Sequence, residues 1–288
     1  MRYMFLVLAG AILWGTTGTA QALAPNESSP LVVGALRLLI GGGSLFILVS
    51  LQKRFSFRHL PKKPILISAI AMALYQPFFF SGVAMTGVAV GTVIAICSAP
   101  IIAGLFEAIK FRSIPERLWV IATALAILGC VLLFSASEKV AFDPRGMILA
   151  LLAGVAFAVY TLTSKQLVAS YRSDTVVAVV FSTAALFLLP ILVVSDLAWV
   201  FEPTGLVTML HLGLLATALA YLLFAAGLKG VSASAAVTLA LAEPLTAAML
   251  GFIWLGEPLN IVSGFGIVLL LGAILLLTLK PSNQASTA

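Results

Sequence analysis

Charge is scarce in this 288-residue chain: only 9% of its residues are Asp, Glu, Lys or Arg, against about 25% in a soluble domain. A water-soluble fold needs charged residues across its exterior, so the soluble enzyme and soluble binding classes are excluded. Cysteine and histidine are scarcer still, with two of each. Cys97 and Cys130 both fall inside apolar runs and read as small hydrophobes, not as a disulfide or metal pair. With only His59 and His211 beside them and no Cys-x-x-Cys, metal and haem chemistry are set aside. Gly41-Gly42-Gly43 has neither a Lys-Ser/Thr ending nor a preceding strand, so it is not a phosphate loop. ATP is therefore not used directly, and no cofactor is implied. His-Glu-x-x-His and Gly-x-Ser-x-Gly are also absent. Their absence counts against the alternative reading, an intramembrane enzyme acting on lipid, which needs catalytic groups within reach of one another. A channel ranks behind that, since nothing resembles a repeated selectivity filter.

What the chain has in abundance is apolar sequence: 62% hydrophobic residues and a mean hydropathy of +1.18. A hydrocarbon core takes about 20 helical residues to cross. Ten apolar stretches of that order run near 4–23, 30–51, 64–85, 88–109, 116–135, 146–167, 174–194, 206–226, 231–254 and 259–279. Met85-Thr86-Gly87 leaves only a tight turn between the third and fourth. Backbone polar groups in lipid must be satisfied within helices, so the expected fold is all-α, an integral membrane bundle of ten transmembrane helices.

Lys and Arg near the span ends set the orientation. With the N-terminus in the cytoplasm, 13 of the 16 basic residues fall on the inner side, among them Lys53, Arg54, Arg58 and Lys280. Only Lys139 and Arg145 fall outside, where Glu27, Glu138, Asp196, Glu202 and Glu257 also lie. Both termini are expected to be cytoplasmic. The net charge of +6 is thereby an orientation signal, and no nucleic-acid partner is expected. The basic loop at 53–63 suits anionic lipid.

The two halves resemble each other at an offset of 143 to 145 residues. Trp14-Gly15 falls opposite Phe157-Ala158, Pro100 opposite Pro244, and Gly129 to Leu133 opposite Gly272 to Leu276. A unit of five spans is odd, so the second copy must be inverted relative to the first. Inverted repeats mark alternating-access transporters, whose site lies between the repeats near the midplane. Ala20-Gln21-Ala22 looks like a signal-peptidase site, but the repeat makes span 1 the partner of span 6. It is read as retained.

With Trp14-Gly15, the small-residue run into Pro100, the Ser232-to-Pro244 stretch and Leu255-Gly256-Glu257 in place, the chain resembles the EamA-type branch of the drug/metabolite transporter superfamily. It departs from that pattern at Phe111-Arg112-Ser113 and in lacking a tryptophan in span 6. The resemblance implies two EamA-like repeats, residues 1–144 and 145–288. It implies a secondary transporter of the cell inner membrane exporting small amphipathic metabolites, above all aromatic and other neutral amino acids. It also implies a central cavity lined by spans 1, 3, 4, 6, 8 and 9, with spans 5 and 10 as scaffold. The sequence assigns no oligomeric state.

Polar and aromatic residues at helical spacing supply the candidate substrate-binding set. They are Trp14, Thr17 and Gln21 on span 1, and Tyr75, Gln76 and Phe79 on span 3. Span 4 offers Ser98, span 6 Tyr160 and Ser164, and span 8 Tyr221 and Phe224. Glu243 is the sharpest signal, an acid halfway along span 9, where a charge costs about 2.5–3.5 kcal/mol. Ala99 holds its place in the first half, so shared architecture does not require the acid. Arg37 in span 2 is the second buried charge, either a carboxylate anchor or a group snorkelling to the outer interface. Pro77, Pro100 and Pro244 are expected to kink their helices. Glu107 and Lys110 read as an ion pair at a helix end.

Overall fold

In hydrocarbon the chain has no water to satisfy its backbone, so each apolar run closes its own hydrogen bonds as a helix. The computed structural model describes residues 1–25, 29–52, 60–112, 115–135, 143–254, 256 and 260–279. Among the described residues, ten helices are long and apolar enough to cross a membrane. They are span 1 (Arg2–Ala22), span 2 (Pro30–Leu51), span 3 (Lys62–Thr86), span 4 (Ala89–Lys110) and span 5 (Arg117–Phe134). The second half supplies span 6 (Pro144–Ser170), span 7 (Ser173–Val193), span 8 (Pro203–Gly227), span 9 (Ala233–Trp254) and span 10 (Ile261–Leu279). Every boundary falls within a few residues of its sequence expectation. Glu27, the basic residues at 53, 54 and 58, His59, Ser113, Glu138, Lys139, Leu255, Glu257 and Lys280 lie outside the described residues.

The tight connection between spans 3 and 4 turns on Gly87, with φ +85° and ψ 159°, and helix resumes at Val88. Glycine alone takes that backbone conformation without strain, which is why the chain can reverse there in one step. Spans 3 and 4 each pack on span 6, and spans 8 and 9 each pack on span 1. Span 2 packs on span 7, and span 5 on span 10. The last pair meets where Gly129 and Gly266 face each other: a Cβ added to either would sit under 3 Å from the other's carbonyl oxygen. On their outer faces Leu128, Val131, Val268 and Leu271 are exposed, as lipid-facing side chains should be.

Two spans depart from regular helix. Span 8 is α-helical over Pro203–Leu210, π-helical over His211–Leu219 and α-helical again over Ala220–Gly227. Span 9 divides into Ala233–Leu239 and Ala242–Trp254, with a break at residues 240 and 241. Pro244 contributes to the break. It has no N–H for the Ala240 carbonyl, which instead accepts the Glu243 N–H at 2.9 Å. Helix runs uninterrupted through Pro77 and Pro100, so the repeated proline does not produce a repeated break.

The first half of span 9 is held from outside itself. Glu107, at the end of span 4, accepts the backbone N–H of Ala233 at 2.8 Å and of Ser234 at 3.1 Å, together with the Ser234 hydroxyl. Its carboxylate therefore caps a helix N-terminus, a role the ion-pair reading with Lys110 did not include. Thr238 is tied to span 5 through Trp119 Nε1 (3.1 Å) and Thr123 Oγ1 (3.0 Å). Those anchors fix the segment that leads into the break.

Candidate functional site

Gly15 brings span 1 directly against the break in span 9. A Cβ there would lie 2.7 Å from the Glu243 carbonyl oxygen and would strike Thr246. The close approach places Trp14 and Thr17 beside Glu243 around a small central hollow. Arg37 of span 2, Tyr75 of span 3, Phe157 of span 6 and Tyr221 of span 8 complete its polar and aromatic wall. Ala95 and Ile96 of span 4 and Val237 and Ala240 of span 9 form a small apolar wall. Ile96 and Ala240 are the residues whose carbonyls Pro100 and Pro244 deprive of helical donors. Among the described residues, none from span 5 or 10 lines it.

The rings form a connected lattice. Trp14 stands 4.6 Å from Tyr221, 5.1 Å from Phe224 and 5.8 Å from Phe157, centroid to centroid. Phe157 reaches Tyr75 at 5.8 Å, and Phe181 backs Tyr221 at 4.5 Å. Such packing fixes the rings and leaves their polar handles as the adjustable chemistry. Those handles are unsatisfied on span 1. Among the described residues, Trp14 Nε1, Thr17 Oγ1 and Gln21 Nε2 are buried with no hydrogen-bond partner. A buried polar group without a partner is costly, so a line of three on one helix face asks for a ligand or water.

Both charges face the same hollow. Arg37 is 8% exposed; its Nε donates to Thr217 Oγ1 at 2.9 Å and its Nη2 to the Ala216 carbonyl at 3.0 Å. It turns into the bundle and does not snorkel. Glu243 has no side-chain hydrogen bond and no ion pair to Arg37 among the described residues. Because the Ala240 carbonyl already has the Glu243 N–H as donor, a protonated Glu243 carboxyl is not needed to pair it.

Of the sequence candidates, Trp14, Thr17, Arg37, Tyr75, Tyr221 and Glu243 come together at the hollow. The others stand behind or beside it. Phe79 stacks on Tyr75 at 5.6 Å, and Phe224 is fully buried against Trp14. Tyr160 is enclosed by Phe157, Phe181 and Tyr221. Gln76 is buried against Gly34 of span 2. Ser98 donates to the Ala95 carbonyl beside Gly154, and Ser164 pairs with Ser68 at 3.2 Å between spans 6 and 3. Gln21 lies one turn beyond Thr17. The apolar lining residues Ala95, Ile96, Val237 and Ala240 carried no polar signal for sequence reasoning to find, and Thr217 was visible only as a hydroxyl one turn before Tyr221.

Comparison with known proteins extends the picture. Residues 1–135 and 144–279 each match the EamA-like transporter family. The chain is 48% identical over 282 residues to the uncharacterized transporter YwfM of Bacillus subtilis (strain 168), covering 98% of this chain and 95% of that protein. It is 30% identical over 280 residues to the threonine/homoserine exporter RhtA of Escherichia coli (strain K12), covering 94% of this chain and 88% of that one. A solved crystal structure superposes with a TM-score of 0.83 at 21% identity over 96% of each chain, a likeness of fold.

Proposed function

The chain belongs to the EamA-like transporter family, and from that premise we propose that it exports neutral amino acids across the cell inner membrane. It works as a secondary transporter by alternating access. Both termini lie in the cytoplasm, and the two halves are inverted copies about the hollow. Two separate matches to one family support the repeat. So does the way spans 3 and 4 pack on span 6 as spans 8 and 9 pack on span 1. The basic residues on one side support the orientation.

One observation carries the substrate class. A hollow between the halves holds one carboxylate and one guanidinium that are not paired with each other among the described residues. Each is expensive in a membrane, and a zwitterion satisfies both at once. Glu243 takes the ammonium and Arg37 the carboxylate. Trp14 Nε1 and Thr17 Oγ1 have hydrogen-bonding capacity to spare for a polar side chain. The aromatic lattice and the small apolar wall take the rest. The 30% identity to a threonine/homoserine exporter makes L-threonine the first substrate to try.

Thiol labelling tests the placement. In a chain with Cys97→Ala and Cys130→Ala, cysteines introduced by Thr17→Cys, Tyr75→Cys and Tyr221→Cys should react with a water-soluble maleimide. L-threonine should slow each reaction. Leu133→Cys and Leu276→Cys, on the scaffold spans, should stay inert. Equal labelling of the two sets, or no protection by any amino acid, would remove the site from this hollow.

A further inference from the structure

Between His211 and Leu219 span 8 adopts π-helical hydrogen bonding, a rare form that recurs at functional sites. Contacts along its length hold it. At its start, His211 Nε2 is hydrogen-bonded to Thr16 Oγ1 at 2.8 Å. Midway, the missing side chains of Gly41 and Gly213 let spans 2 and 8 meet, a Cβ on Gly41 falling 2.7 Å from the Gly213 carbonyl oxygen. Towards its end, Ala216 and Thr217 receive Arg37.

A guanidinium has two edges able to hold a carboxylate through parallel N–H···O bonds. The side edge of Arg37, Nε with one N–H of Nη2, is occupied by Thr217 Oγ1 and the Ala216 carbonyl. The end edge, Nη1 with the second N–H of Nη2, has no hydrogen bond among the described residues, and Arg37 lines the hollow. Thr217 is itself locked. It is fully buried, and its methyl lies where a Cβ on Gly41 would come within 2.7 Å. With the methyl held against Gly41, the hydroxyl faces Arg37.

The geometry points to Thr217 as a positioning residue: its hydroxyl and the neighbouring Ala216 carbonyl hold the side edge of Arg37, so that the end edge receives the substrate carboxylate. The assignment rests on the amino-acid reading above and adds which edge binds and what aims it. Both acceptors lie within the π-helical stretch. Thr217 touches no substrate; it acts through Arg37.

Purified protein in proteoliposomes separates these roles. L-Threonine counterflow gives a KM, and 1-amino-2-propanol, the same molecule without its carboxylate, gives an inhibition constant as competitor. Thr217→Val keeps the shape and the methyl contact but loses the hydroxyl. It should raise the KM about tenfold while moving the amine's inhibition constant by less than about twofold. Thr217→Ser, which keeps the hydroxyl, should restore most of the KM. If both constants shift together, Thr217 only packs the helices, and the assignment is overturned. It is overturned equally if Thr217→Val changes neither, or if Thr217→Ser behaves as Thr217→Val. Failure of the underlying reading looks different: the unmodified protein would then carry no amino acid.

Discussion

Replacing Glu243 by glutamine is expected to lower amino-acid counterflow at least about tenfold, because a charge-assisted hydrogen bond contributes about 1.5–3 kcal/mol. Glutamine keeps the shape and one acceptor oxygen of glutamate, replaces the other oxygen by an NH2 donor and removes the charge. The melting temperature and yield of the protein should hardly move. The competing role for Glu243 is a neutral cap on the backbone broken by Pro244, although the Ala240 carbonyl already accepts the Glu243 N–H. The acid is also confined to one half: Ala99 stands at the matching place in span 4, where helix continues through Pro100. If the cap were its role, Glu243→Gln would transport normally. Glu243→Leu would then destabilise by about 1–3 kcal/mol through an unsatisfied buried group. Transport by the two variants at matched expression distinguishes the cases.

Arg37→Gln should have an effect of similar size with a different chemical signature. Its end edge is the partner of the substrate carboxylate, so kcat/KM for L-threonine should fall more than about tenfold. Binding of 1-amino-2-propanol should survive. Arg37→Lys should recover only part of the loss, because an ammonium has charge but no planar fork. Either change also frees the Ala216 carbonyl, so the melting temperature should drop as well. A drop in melting temperature with unchanged transport would make Arg37 a staple between spans 2 and 8 and nothing more.

The spans were legible in the sequence because hydropathy over about 20 residues is a strong signal. The turn at Gly87 was legible because only glycine suits so abrupt a reversal. Which face of each span looks inward was harder. These helices are apolar nearly all round, so polar residues mark faces but do not rank them. Gln76, Ser98 and Ser164 have suitable chemistry, yet Gln76 is buried against span 2 and the two serines at contacts with neighbouring spans. Ala95, Val237 and Ala240 line the hollow without any chemical mark. Pro244 announced a disturbance in span 9, but the same residue type at Pro100 left span 4 continuous, so the break depends on packing as well. The π-helical stretch of span 8 could not be read at all, since it shifts hydrogen bonding by one residue without changing composition. Arg37 was visible as a buried charge, while its partners are a backbone carbonyl and a hydroxyl 179 and 180 positions away.

The central claim is that the hollow holds a neutral amino acid by both of its charged ends. Counterflow of labelled L-threonine into proteoliposomes of the unmodified protein, preloaded in turn with unlabelled compounds, tests it most directly. Internal L-threonine and other neutral amino acids should drive accumulation of label. Internal 1-amino-2-propanol, lacking the carboxylate, and 3-hydroxybutyrate, lacking the ammonium, should each drive less than about a tenth as much, the loss of one charge-assisted contact. Equal counterflow with either single-ended compound, or none with any amino acid, would contradict the account.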